Sequence, residues 1–111
     1  MAKVIFLLHR KDGTTREQCL EYWAGERHAS IVRRIPGLTR WVQNHVHGAR
    51  DEPAACDGVG ELWFESDEAM EQALGSPEFG AAVEDAKKFL DMEKTALLVV
   101  EEKAILNAVE T

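Results

Sequence analysis

The chain has 111 residues, 45% of them hydrophobic and 30% charged, enough for one domain with a real core and too few for two, so residues 1–111 are read as a single domain. A formal net charge of -7 argues against a nucleic-acid partner, because phosphate binding needs a basic patch, and Arg33, Arg34 and Arg40 are the densest basic group. The opening MAKVIFLLHRKDG has an apolar run too short for a membrane span and no small-residue cleavage site, so no membrane partner and a cytoplasmic location are expected, with Cys19 and Cys56 as free thiols.

The run from Lys3 to Arg10 is rich in Val, Ile, Phe and Leu, which predicts a first strand buried on both faces. Asp12-Gly13 ends it. Thr14-x-x-Glu17 matches a capping box, and one helix is expected from there to about Ile35, where Pro36-Gly37 stops it. Leu38 to His47 reads as a second strand, with Thr39, Trp41, Gln43, His45 and His47 on one side and Arg40, Val42, Asn44 and Val46 on the other. A polar loop from Gly48 to Gly58 follows. Val59 to Glu65 is the third strand, with Val59, Glu61, Trp63 and Glu65 on one side and Gly60, Leu62 and Phe64 on the other. A second helical region opens at Ser66-Asp67, breaks at Gly75 and restarts at Ser76-Pro77, a cap followed by proline at the first helical position. Phe79, Val83, Ala86 and Phe89 or Leu90 repeat at helical spacing. Thr95 to Glu101 is the fourth strand, and the tail from Lys103 is left as a helical turn or a frayed end.

The order β-α-β-β-α-β points to an α+β, ferredoxin-like sandwich: a four-stranded antiparallel sheet with helices on one face. The first and fourth strands are apolar on both sides, yet helices cover only one. A large exposed apolar face is one that soluble monomers avoid. The simplest cover is the sheet of a second copy, packed face to face under two-fold symmetry, so a homodimer is expected.

The stretch FLLHRKDGTTREQCLEYWAGERHASIVRRIPGLTRWVQN, then DGVGELWFES, a Ser-Pro helical segment and LLVVEE, resembles the EthD family of the dimeric α+β barrel superfamily. The resemblance covers roughly residues 3 to 102. It rests most on the Tyr-Trp…Arg-His-Ala stretch, the Pro-Gly-Leu turn, Val-Gln-Asn, and Asp-Gly…Glu-Leu-Trp-Phe. It implies the barrel fold and the dimer. For chemistry it implies a range, since such proteins resemble one another far better in fold than in reaction. Relatives in polyketide pathways are associated with decarboxylation or dehydration of aromatic intermediates. The wider superfamily includes cofactor-free monooxygenases, cyclases, lactone isomerases and haem-degrading enzymes.

The candidate site lies on the first helix. At about 100° per residue, Leu20, Trp23, Ala24, Ile31 and Ile35 form one apolar arc, with Arg27 inside it and His28 at its edge. A buried unpaired arginine is costly, so Arg27 is expected to find a carboxylate, most naturally Glu61, or the partner subunit. His28 is expected to border a cavity between sheet and helix as an acid or base near neutral pH. Trp23, Ile31, Asn44, His45, Glu61 and Trp63 are the candidate substrate-binding residues, with Phe6 or Leu8 completing the wall. The bland alternatives are a snorkelling Arg27, a core-edge His28 and plainly packed tryptophans. Which sheet face carries Glu61 and His45 is open, because both sides of the third strand hold apolar residues.

His45 and His47 share a strand side, but a His-x-His pair without a third ligand makes no metal site. Gly58-x-Gly60 lacks the third glycine and the following helix of a dinucleotide loop. Neither metal nor tightly bound cofactor is expected. The leading reading is a homodimer that binds a small hydrophobic or aromatic metabolite and performs acid/base chemistry on it (dehydration, decarboxylation, cyclisation or isomerisation) or assists an oxidative degradation pathway. Its rivals are a cofactor-free or haem-linked monooxygenase and a non-catalytic dimeric scaffold.

Overall fold

A computed structural model describes residues 1–108. Its elements run β1 (Ala2–Leu8), α1 (Arg16–Ala24), α2 (Glu26–Val32), β2 (Leu38–His45), β3 (Gly58–Phe64), α3 (Asp67–Leu74), α4 (Pro77–Ala86) and β4 (Ala96–Val100). The strands form one antiparallel four-stranded sheet in the order β2-β3-β1-β4. This is the expected α+β, ferredoxin-like topology.

Each expected helical region is two helices. The break between α3 and α4 falls at Gly75–Ser76, and Ser66 and Ser76 accept the amides of Ala69 and Phe79 as N-caps. The first region differs from expectation. Gly25 is extended, with φ -68° and ψ 152°, so the helix ends at Ala24 and a new one begins at Glu26. The cap also sits one residue later than Thr14. Thr14 is still in the turn around Gly13, donating its amide to Lys11 O at 3.1 Å. Thr15 therefore makes the capping box, its Oγ1 accepting from the Gln18 backbone amide at 3.1 Å while Gln18 Oε1 accepts from the Thr15 backbone amide at 3.0 Å. The sequence TTREQ holds both registers, and the preceding turn selects the second.

Register assigns the faces. Ala2, Val4, Phe6 and Leu8 sit opposite Phe64, Leu62, Gly60 and Gly58. Their side of the sheet meets the helices in two clusters, one around Val4, Leu62, Phe64, Val32 and Met70, the other around Leu8, Leu20, Trp23, Ala86 and Phe89. Phe6 packs against both. The other side carries Lys3, Ile5 and Leu7 opposite Trp63, Glu61 and Val59, with Val42 beside Glu61 and Leu98 beside Ile5. From Glu101 to Ala108 there is no helix, so no helical turn forms there. Residues 109–111 of the tail lie outside the described residues.

One polar side chain pins the lower edge of this frame. Asp57 Oδ2 accepts the Arg10 amide at 2.8 Å, and Oδ1 accepts Arg10 Nη1 at 2.6 Å and Arg16 Nε at 3.0 Å. Burial works to raise its pKa, but these donors outweigh it and hold the carboxyl below the ordinary range. The Asp57 backbone also joins β1 to the end of β2, donating to Leu8 O and accepting from the Val46 amide. Cys19, buried beside this knot, has its thiol pushed up to about 11, first by burial and then by the Asp57 charge. It is an inert core residue rather than a nucleophile.

Candidate functional site

Between the two core clusters lies a cavity of about 70 Å³, walled by Phe6, Leu8, Trp23, Trp41, Leu62 and Ala86 among others. Met92, Phe79 and Leu90 also line it. It is smaller than the roughly 150 Å³ that holds a benzene ring in an apolar core, so a ring-sized ligand enters only when lining side chains move. Met92 is suited to that, being unbranched and free to change rotamer.

His28 lines this cavity and is only 5% exposed. Its Nδ1 lies 2.9 Å from Asp85 Oδ2, and Asp85 is 4% exposed. Asp85 also accepts the Tyr22 hydroxyl at 3.0 Å, and Lys88 stands 3.4 Å from it. Burial would raise the Asp85 pKa, but the bonds from His28, Tyr22 and Lys88 more than offset it, and the carboxyl is held low. Burial lowers the His28 pKa more than Asp85 restores it. The pair at neutral pH is therefore an aspartate and a neutral imidazole. Facing a carboxylate, Nδ1 must carry the proton, which leaves the lone pair on Nε2. No described residue bonds Nε2. The arrangement is a histidine oriented by a buried acid, its basic nitrogen unbonded and its side chain lining an apolar space.

Asp85 was not among the residues singled out from the sequence, although a signal existed. Ala82, Asp85, Ala86 and Phe89 follow core spacing along α4 and beyond, and an acid in such a slot needs a partner. All four are buried.

Arg27 corrects the sequence reading. Its side chain is 69% exposed, it does not pair with Glu61, and its nearest carboxylate is Asp85 at 3.8 Å. The extended Gly25 rephases the chain, so α2 buries His28, Ala29 and Val32 instead. Ile31 packs against the first core cluster, while Val32 and Ile35 line the cavity.

Trp23 is a wall of the cavity, and its seat explains Gly58-x-Gly60. A Cβ on Gly58 would stand 2.7 Å from the Trp23 ring, and one on Gly60 3.0 Å. The glycines leave room for the indole to lie flat on β3. His45 stacks on the same ring at 5.2 Å and bonds Gln43 Oε1 at 2.8 Å. Gln43 in turn donates to Trp23 O at 2.9 Å. His45 thus braces Trp23 and is not a cavity wall. Gly58→Ala is expected to lower stability by about 1–3 kcal/mol through overpacking, read as an earlier urea midpoint and a changed near-ultraviolet dichroism. An unchanged midpoint would show that the indole is not seated there.

Asn44, Glu61 and Trp63 lie on the opposite sheet face and are not brought to His28. Glu61 pairs with Lys3 at 2.6 Å and accepts from Asn44 at 2.9 Å. Trp63 donates to Glu102 at 3.2 Å, with Lys3 and Arg40 over its ring at 4.5 and 4.4 Å. Odd-numbered β3 residues all turn away from the helices, and the Trp23 seat on the even-numbered glycines fixes that alternation. Among the described residues no group of three or more His, Cys, Asp or Glu side chains could hold a metal ion. No described helix is long and apolar enough to cross a membrane.

A family model described as the EthD domain matches residues 11–93. No curated protein matches. Among solved structures, an ethyl tert-butyl ether D (EthD) family protein from Bacillus halodurans is 23% identical, with a TM-score of 0.76 over 93% of this chain and 100% of that one. A dimeric protein of unknown function with a ferredoxin-like fold from Bacteroides fragilis is 14% identical, with a TM-score of 0.65 over 91% of this chain and 95% of its own. SnoaB from Streptomyces nogalater, a cofactor-independent oxygenase, is 17% identical, with a TM-score of 0.57 over 97% and 98%.

Proposed function

The chain belongs to the EthD domain family, and from that premise we propose that it is a homodimeric, cytoplasmic single-domain protein that binds a small, mostly apolar metabolite and removes a proton from it with His28. The observation that carries this reading is the 2.9 Å bond from His28 to buried Asp85 beside a cavity that leaves Nε2 unbonded. The imidazole enters the reaction neutral. It takes a proton from a weakly acidic O–H, or from a C–H next to a carbonyl, and becomes imidazolium. Asp85 stabilises that charge and later lets the proton return to product. Such a step serves dehydration, decarboxylation, cyclisation or isomerisation equally. It would also generate an electron-rich anion, a species open to attack on oxygen, and the SnoaB neighbour is a cofactor-independent oxygenase, which keeps the oxygenase reading as the second one.

The supporting test uses wild type and His28→Asn side by side. Asparagine keeps a donor toward Asp85 near the Nδ1 position but removes the base. Small molecules released on denaturation are identified by mass spectrometry and returned to each protein. Turnover by wild type should fall with acid below an apparent pKa that lies under 6.5, the ordinary histidine value, because only neutral imidazole is competent. His28→Asn should lose about 100-fold or more while its melting temperature stays close to wild type. Equal turnover by both proteins would remove the enzyme reading and leave the scaffold.

A further inference from the structure

The cavity has a second polar side chain besides His28. Thr95, at the approach to β4, lines it, and its Oγ1 accepts the His9 amide at 3.2 Å. That bond uses a lone pair and leaves the hydroxyl hydrogen, which has no acceptor among the described residues. A threonine hydroxyl offers one donor, and this one is oriented by the backbone bond behind it. The rest of the wall, apart from the indole N–H groups of Trp23 and Trp41, is hydrocarbon and sulfur. Trp23 is held flat on β3 by Gly58 and Gly60, and Trp41 stands edge-on to the His28 ring at 6.5 Å.

Thr95 and His28 come from different parts of the fold, one from the turn that leads into β4 and one from α2. A ligand in the cavity they both line has an acceptor nitrogen and a hydroxyl donor available to it. From this we infer that Thr95 is the second polar anchor of the site, donating to a ligand oxygen that accepts charge when His28 takes the proton. The inference rests on the proposed base role of His28 and names the ligand class: a neutral compact molecule with one acidic hydrogen and, separated from it, one carbonyl-type oxygen. An anion is disfavoured, since no lysine or arginine lines the cavity and burial of a charge without a partner is costly. When the proton moves to Nε2, the negative charge spreads through the conjugated ligand to the distal oxygen, where a fixed donor stabilises it more than it does the neutral form.

The test uses 4-hydroxybenzaldehyde, which conjugates the two groups, 3-hydroxybenzaldehyde, which carries both without that conjugation, and p- and m-cresol, which replace the carbonyl by methyl. Binding is followed by nuclear magnetic resonance titration of wild type, Thr95→Val, Thr95→Ser and His28→Asn. Wild type should bind at least one aldehyde more tightly than its cresol. Thr95→Val should weaken that aldehyde about five- to tenfold, the size expected for one lost hydrogen bond, and leave the cresol unchanged. Thr95→Ser, which keeps the hydroxyl and the His9 bond, should restore the aldehyde. His28→Asn should weaken both compounds. Equal loss of aldehyde and cresol in Thr95→Val, or no loss of either, overturns the anchor while leaving the His28 reading in place. Binding of all four compounds that is unchanged in His28→Asn, or absent in wild type, overturns both.

Discussion

Asp85→Ala is expected to lower stability by about 2–4 kcal/mol, because it leaves the buried His28 imidazole and the part-buried Tyr22 hydroxyl without their acceptor, at about 1–3 kcal/mol for each unsatisfied group. For a chain of this size that is a fall in melting temperature of about 10 °C or more. Asp85→Asn separates folding from chemistry. The amide can still pair with both groups, so most of the stability should return. The negative charge does not, and proton abstraction by His28 should be about 100-fold weaker or worse. The same variant has a spectroscopic signature. Asp85 raises the His28 pKa against the lowering effect of burial, so without the charge the His28 ring should titrate lower still. Proton resonances of the ring in wild type and Asp85→Asn read this directly. An identical titration in the two would show that the carboxylate and imidazole are not coupled. Stability follows the same pair. Both folded pKa values are depressed, so the unfolded chain binds more protons and acid favours unfolding. The His28 contribution is complete above about pH 6.5 and the Asp85 contribution above about pH 4. Each is lost as pH falls through its lower folded value.

Leu98→Glu is expected to turn a dimer into a monomer without unfolding the chain. Leu98 is 42% exposed and lies on the helix-free face beside Ile5. Under two-fold symmetry one substitution places two carboxylates in the interface. Burying them unpaired should weaken association about 100-fold or more. The face can otherwise be buried whole: its charges, Lys3 and Arg40 against Glu61 and Glu102, are equal in number and already engaged with one another or with Trp63. Sedimentation of wild type at micromolar concentration should give a dimer, and of Leu98→Glu a monomer with unchanged circular dichroism. A wild-type monomer would sink the proposal outright, and a Leu98→Glu dimer would place the interface elsewhere.

Alternation and capping residues were sufficient to read the four strands, because a buried strand has only two sides and each break carries Gly, Pro or a cap. His28 was legible for a similar reason, being a polar residue at the rim of an apolar arc. Arg27 was misread from the same arc. Helical periodicity assumes an unbroken helix, and Gly25 can be helical or extended with almost equal ease, so the phase after it was not fixed locally. Glu61, Asn44 and Trp63 were grouped with His28 although a sheet separates them. With Val59, Leu62 and Phe64 on both sides of β3, hydrophobicity could not say which side meets helices. What decides it is the contact between Trp23 and two glycines some 35 residues further on, and no local pattern reports that. Asp85 lies 57 residues from His28, and pairing across that distance appears only once the helices are docked.

The Asp57 knot makes the loop before it a natural place for engineering. The chain leaves β2 at Val46 and is gathered again at Asp57, whose backbone and carboxylate tie together Val46, Leu8, Arg10 and Arg16. Both ends of the excursion are held independently of its length. Extending it costs closure entropy that grows only with the logarithm of the added residues. A peptide tag or fluorescent reporter spliced near Arg50–Glu52, where the chain is exposed, would hang from the molecule on a fixed hook and leave His28 and its cavity undisturbed.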